Sequence, residues 1–170
     1  MAYFSFARSI VAGEPITLFR TFDGADTRRD FTYIDDVVRG CLGALDTAGR
    51  STSSKSGKKR GPTPLRVYNL GDTSPVPVTR MVTILEMLLG KKAHKRVVTM
   101  PTNSDVPFTH ANVSHIARDF GYHPATSLEV GLRHFVDWFV RYYKDTAWYG
   151  SWLLGLPSPG LQEMASMRAL

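Results

Sequence analysis

The spacing of apolar residues in this sequence switches repeatedly between a helical and a strand period, and that alternation restricts the chain to an α/β architecture. "AYFSFARSIVAG" (Ala2 to Gly13) has the spacing of a helix that closes at Gly13, and "PITLF" (Pro15 to Phe19) follows as a strand. "FTYI" (Phe31 to Ile34) reads as a second strand, after which Asp35 or Asp36 can cap a helix running to about Ala48. A strand "RVYNLG" begins at Arg66. Val78, Met81, Val82, Leu85, Leu88 and Leu89 then recur at helical spacing until Gly90, before the strand "RVVTM" (Arg96 to Met100). Asn112 can cap a short helix ending near Gly121, and Thr126 with Glu129 forms a capping box for the longest helix. Leu128, Leu132, Phe135, Val136, Phe139 and Tyr143 make one apolar stripe along that helix, which is the pattern of a core face, not of a cofactor site.

A chain of 170 residues, 43% of them hydrophobic, is long enough for one domain with a real core. Its net charge of +6 raises the question of a nucleic-acid partner, so the position of the charge matters. Arg50, Lys55, Lys58, Lys59 and Arg60 fall in one segment and Lys91, Lys92, Lys95 and Arg96 in another; outside these two the chain is slightly acidic. The first segment lies in "GRSTSSKSGKKRGPTP", whose Ser, Gly, Lys and Pro cannot bury enough apolar surface to offset ordering, so residues 50–64 are expected to form a disordered, solvated loop. A nucleic-acid partner is not expected. Cys41 stands alone, which excludes an internal disulfide, and the five histidines lack the companion spacing of a metal site. No apolar run reaches the roughly 20 residues of a membrane span, and the opening "MAYFSFARSIV" lacks the order of a signal peptide.

Few chemical motifs are present in the sequence. The sequence has no G-x-G-x-x-G or G-x-x-G-x-x-G loop, no Walker loop, no G-x-S-x-G, and no tyrosine with a lysine four positions later. What remains are loops at strand ends that carry Arg29, Asp105 and aromatic residues, the places where α/β proteins commonly hold ligands.

Four segments, in order, carry a resemblance: "MAYFSFARSIVAGEPITLF", "RRDFTYIDDVVRGCLGAL", "RVYNLGDTSPVPV" and "DVPFTHANVSHIARDFGYHPATSLEVGLRHFVDWFVRYY". Together they resemble the C-terminal half of the NAD-dependent nucleotide-sugar epimerases of the extended short-chain dehydrogenase family, and among them the plant UDP-glucuronate 4-epimerases. The resemblance implies the substrate-binding part of a Rossmann-like fold over residues 1–144, without most of the NAD-binding sheet, and a divergent, poorly ordered tail over 145–170. It further implies a UDP-sugar ligand, and NAD in the complete family member with none expected on this chain alone. Complete plant relatives resemble Golgi membrane-anchored enzymes.

The resemblance also names residues. Phe19 corresponds to the family aromatic that packs on uracil, with Thr17 two residues earlier on the same edge; by spacing alone, Phe19 is equally a strand-end core residue. An aromatic face suits a flat base. Arg29 corresponds to the arginine that contacts the diphosphate, for which a guanidinium provides fixed donors. The residue types alone also allow Arg28 and Arg29 to pair with Asp30, Asp26 or Asp23 at the surface. Asp105 matches an acid used near the ribose, and is otherwise a turn or capping aspartate. Relatives commonly have Asn-Gly-Asp or Pro-Gly-Asp where this chain has Asn103-Ser104-Asp105, and many carry Arg or Gln at the position of Thr102.

In the family the glycine-rich loop and the Tyr-x-x-x-Lys pair precede the segment that begins here, so the chain by itself is expected to bind without catalysing. Two readings stand at this point. One is part of a UDP-glucuronate 4-epimerase-like isomerase that interconverts UDP-glucuronate and UDP-galacturonate. The other is a non-catalytic nucleotide-binding or interaction module that pairs with a full-length relative, or with a second copy of itself.

Overall fold

The computed structural model describes residues 2–48, 66–101 and 106–143. In chain order the elements are α1 (Ala2–Ala12), β1 (Pro15–Arg20), β2 (Arg28–Arg29), α2 (Ile34–Asp46), β3 (Val76–Pro77), α3 (Val78–Leu89), β4 (His94–Thr99), α4 (Ser114–Phe120) and α5 (Leu128–Tyr143). Contacts divide the chain into two interleaved compact units: Met1–Asp26 with Val78–Asp105 and Glu129–Leu170, and Thr27–Pro77 with Val106–Leu128.

The first unit is built on a parallel pair. β1 lies beside β4 with Pro15 opposite His94, Thr17 opposite Arg96 and Phe19 opposite Val98. Strict alternation buries Ile16 and Leu18 of β1 while Thr17 and Phe19 stay exposed; β4 does not repeat it, since Val97 is exposed and Val98 half-buried. Val82 of α3 packs on Ile16 and Leu18, with Phe6, Val78 and Ala93 around it. Met81, Ile84 and Leu85 complete the buried face of α3, as their helical spacing requires. The α5 stripe is core too: Leu132, Val136 and Phe139 are buried, and Phe139 meets Phe4 of α1 edge-on with centroids 5.8 Å apart. Gly13 and Gly90 end α1 and α3 with φ of 73° and 65°, a left-handed geometry that glycine adopts without strain.

Glu86 secures the turn between α3 and β4. Its buried carboxylate accepts the Ala93 N–H at 2.9 Å and pairs with Lys95 at 3.1 Å and Lys92 at 3.8 Å. Lys91 instead donates to the Val11 carbonyl at 2.7 Å, near the C-terminal end of α1 where carbonyls lack helical partners. Three lysines of the second basic segment are thereby engaged.

In the second unit, β2 pairs antiparallel with β3, Arg28 opposite Pro77 and Arg29 opposite Val76. The strand expected over Phe31 to Ile34 is absent. Arg28 exchanges backbone bonds with Pro107 and Thr109, but the Asp30 N–H goes to the Thr109 hydroxyl at 3.0 Å, so side-chain bonding ends the ladder there. "RVYNLG" likewise forms no strand among the described residues; side chains tether it instead. Arg66 donates to the Thr47 carbonyl at 2.7 Å, Tyr68 to Asp119 at 2.7 Å, and Asn69 to the Asn112 carbonyl at 3.4 Å.

The expected cap of α2 is also corrected. The cap position is Tyr33, with extended backbone and no side-chain hydrogen bond, and Asp35 and Asp36 lie inside the first turn. Asp36 is fully buried and accepts the N–H groups of Ala125 and Thr126, both at 3.1 Å, besides pairing with Arg39. Carboxylates in a first turn favour the helix electrostatically wherever their second partner lies. Asn112 does serve α4, accepting the Ser114 N–H at 3.0 Å, although the cap residue is Val113.

The α2 helix packs with inverted polarity. It buries Asp36 and Gly40, while Ile34, Val38, Leu42 and Leu45, spaced along one side, are exposed. A Cβ at Gly40 would meet the Leu70 side chain and one at Gly43 the Phe120 ring, so these glycines let both side chains approach the helix closely.

Candidate functional site

Two of the four residues suggested by sequence stand together. Thr17 and Phe19 project from the open face of β1, two positions apart, and the parallel register sets Arg96 and Val98 beside them on β4. Phe19 is 40% exposed, so it is not the strand-end core residue that spacing also allowed. The far end of β1 is braced: Met100 N–H donates to the Arg20 carbonyl at 2.8 Å, Arg20 pairs with Asp26 at 3.2 Å, and Asp26 accepts the Thr79 hydroxyl at 2.6 Å. These bonds hold the backbone next to Phe19.

Arg29 belongs to the second unit, on β2. Its guanidinium donates to the Arg28 carbonyl at 3.0 Å, while Arg28 donates to the Pro75 carbonyl at 2.8 Å. The aspartates that might have paired with these arginines have other partners: Asp26 as above, Asp23 with Thr21 and the Ala25 N–H, Asp30 with backbone. Asp105, with Thr102 to Ser104, lies outside the described residues, as do the 50–64 loop and the 145–170 tail.

Sequence reasoning missed the role of Asp30. Its carboxylate accepts the N–H groups of Asp72 at 2.9 Å, Thr73 at 3.3 Å and Ala111 at 2.9 Å, tying three chain segments at the root of the β2 region. Gly71 is required there, since a Cβ would collide with Ala111 and lie 2.9 Å from the Asp30 carboxylate. Burial and the Asp30 charge raise the Asp72 carboxyl above its ordinary value. Thr73 has φ of 62°, a left-handed conformation that is strained for a β-branched residue. The signal that could have found Asp30 is its place directly after β2, where a chain leaving a ladder needs acceptors for freed N–H groups.

Beside this knot is a cleft of about 450 Å³ in the same unit, lined by Thr32, Tyr68, Asn69, Thr109 and His110 among others. None of Thr17, Phe19 and Arg29 lines it. It follows the 68–71 backbone, where no ladder partner lies among the described residues. The Tyr68 hydroxyl on its wall is bonded to Asp119, which raises the phenol above its ordinary value and lowers the carboxyl. Among the described residues there is no group of His, Cys, Asp and Glu suited to a metal, and no helix long and apolar enough to cross a membrane.

Comparisons with known proteins agree with this architecture. Residues 1–71 match the model of the NAD dependent epimerase/dehydratase family. The chain is 62% identical over 143 residues to UDP-glucuronate 4-epimerase 6 of Arabidopsis thaliana, covering 84% of this chain and 31% of that protein. It is 58% identical to UDP-glucuronate 4-epimerase 2 of the same plant, covering 85% of this chain and 33% of that protein. The chain thus spans about a third of the length of these curated relatives. Among solved structures, the UDP-glucuronic acid 4-epimerase of Bacillus cereus, in complex with UDP-glucuronic acid and NAD, superposes with a TM-score of 0.66 at 28% identity, over 84% of this chain and 40% of that one. By sequence and by fold, the chain is similar to one part of the UDP-glucuronate 4-epimerases, and its residues 1–71 carry the match to the NAD dependent epimerase/dehydratase family.

Proposed function

We propose that this chain supplies UDP-sugar contacts for a UDP-glucuronate 4-epimerase-like isomerase, one that interconverts UDP-glucuronate and UDP-galacturonate by reversible oxidation at C4. Phe19 stacks on the uracil, Thr17 lies along the same edge, Arg29 holds the diphosphate and Asp105 accepts from the ribose. The observation that carries this reading is the outward ring of Phe19, exposed on a strand whose alternate residues are buried. An aromatic face held by a rigid strand is a stacking platform for a base. The relatives support it: the plant proteins carry that enzyme name, and the Bacillus cereus structure contains UDP-glucuronic acid.

NAD is also present in that bacterial structure, but no segment among the described residues of this chain fits it. A dinucleotide diphosphate needs a strand that turns through glycines into a helix N-terminus. Among the described residues β3 passes directly from Pro77 into Val78 of α3 with no glycine, and β1 ends in the Thr21 to Ala25 turn. No hydride-transfer step is therefore assigned to this chain, whose own part is binding.

Calorimetric titration of the full chain with UDP and with UDP-glucuronate tests the reading, alongside Arg29→Ala. Saturable binding that this variant weakens by about tenfold or more is expected, as for loss of a charged hydrogen-bond donor. Folded protein that binds neither ligand overturns it.

A second reading, an interaction module that pairs with a full-length relative, is favoured by the exposed stripe of Ile34, Val38, Leu42 and Leu45 on α2. Contiguous apolar surface of this kind marks contact sites. Mixing the chain with a longer epimerase and following size-exclusion elution separates a mixed complex from a dimer of this chain alone.

A further inference from the structure

The second basic segment resolves into two kinds of residue. Lys91 is spent on the Val11 carbonyl, and Lys92 and Lys95 on Glu86. Arg96 is different: it is exposed, and among the described residues it makes no hydrogen bond or ion pair. The register sets it opposite Thr17, whose hydroxyl also has no partner among the described residues. Both side chains lie on the face that carries Phe19.

We propose that Arg96, with Thr17, reads the edge of the base and selects a pyrimidine with two carbonyl groups. This rests on the reading of Phe19 as a base platform and adds to it a source of specificity. Adjacent strands are about 4.8 Å apart, and Arg96 is one strand across and two positions back from Phe19. An arginine side chain is long enough to span that separation and meet the edge of a ring lying on the phenyl group. A guanidinium only donates, so it suits the O4 carbonyl of uracil and opposes the amino group that cytosine presents at the same place. The threonine hydroxyl can accept the uracil N3–H, but it can equally donate to the bare N3 of cytosine, so discrimination falls to Arg96. His94, opposite Pro15, stands a further two positions from Phe19 on this face and is too distant to share the contact.

The test is calorimetric titration of the full chain with UDP and CDP, for the wild type, Arg96→Ala, Arg96→Lys and Phe19→Ala. Arg96 is exposed, so thermal unfolding of its variants is expected to match the wild type. The wild type is expected to prefer UDP. Arg96→Ala is expected to reduce the UDP to CDP preference at least about fivefold by weakening UDP alone, with Arg96→Lys in between. Phe19→Ala is expected to weaken both ligands together. If Phe19→Ala weakens both but Arg96→Ala leaves the preference unchanged, or weakens UDP and CDP equally, the platform stands and the role of Arg96 is overturned. If the folded wild type binds neither ligand, or Phe19→Ala changes nothing, the platform reading fails and this assignment falls with it.

Discussion

Asp30 accepts the backbone N–H of Ala111 at 2.9 Å across 81 residues of chain, and the same carboxylate takes the N–H groups of Asp72 and Thr73. A carboxylate has enough lone pairs for three donors, whereas an asparagine side chain has a single acceptor oxygen and would turn an amino group towards N–H groups. Asp30→Asn is therefore expected to destabilise the second unit by about 2 kcal/mol and to speed amide exchange at residues 72 and 111. Urea unfolding with residue-resolved exchange reads both effects. Unchanged exchange at those two amides would remove Asp30 from this role.

A second expectation concerns acid. Burial pushes the Glu86 carboxyl up, but the Ala93 N–H, the Lys95 bond and the charges of Lys95 and Lys92 outweigh it, so the group sits below its ordinary value of 4.5. A carboxyl lowered by folding adds stability that is present above 4.5 and is lost as the pH falls through the lowered value. Stability of the wild type should thus fall with acid below that point. Glu86→Gln should be less stable at neutral pH and flatter through the acid range, as thermal unfolding across pH 3 to 7 would reveal.

Thr73 gives an opposite kind of expectation. Its φ of 62° strains a β-branched side chain, and glycine would relieve that strain at the expense of a more flexible unfolded chain. The net effect of Thr73→Gly is expected to be a gain of about 0.5 to 1 kcal/mol. A lower midpoint in urea would show that the threonine is not strained.

The inverted helix sets the last expectation. Leu42 and Leu45 are exposed on α2, so Leu42→Gln with Leu45→Gln removes no core packing and should change stability by less than about 0.5 kcal/mol. The same pair should sharply reduce self-association and abolish any complex with a longer relative. Light scattering at rising concentration checks the first, and size-exclusion chromatography of the mixture the second.

Much of the first unit was legible in the sequence, because its rules are local. Alternation in Pro15 to Phe19, the helical spacing from Val78 to Leu89 and the left-handed glycines at 13 and 90 are each written within a few residues. The second unit was harder. "FTYI" and "RVYNLG" have strand composition, but a ladder needs a neighbour, and composition says nothing about whether one is there. The apolar side of α2 follows the usual helical pattern, which assumes that the apolar face is the buried one; Gly40, Gly43 and Asp36 reverse this through distant Leu70, Phe120 and Ala125. At the candidate site, Thr17 and Phe19 were named by the family resemblance, because spacing alone left Phe19 equally a core residue. Arg96 was hidden in a run of cations, since only the register of β4 against β1 separates it from its lysine neighbours.

The parallel pairing of β1 with β4 also dictates the order in which the chain can assemble. The two strands are separated by about eighty residues, and Thr27–Pro77, which belongs to the other unit, lies between them. During synthesis at roughly 5 to 20 residues per second, Ile16 and Leu18 wait several seconds for β4 and Val82, with their side chains uncovered. α1 and β1 are made well before β4 yet are completed only with it. Ile16 and Leu18 are thus apolar surface that the nascent chain carries uncovered until β4 emerges, and a pause in translation before His94 would prolong that exposure.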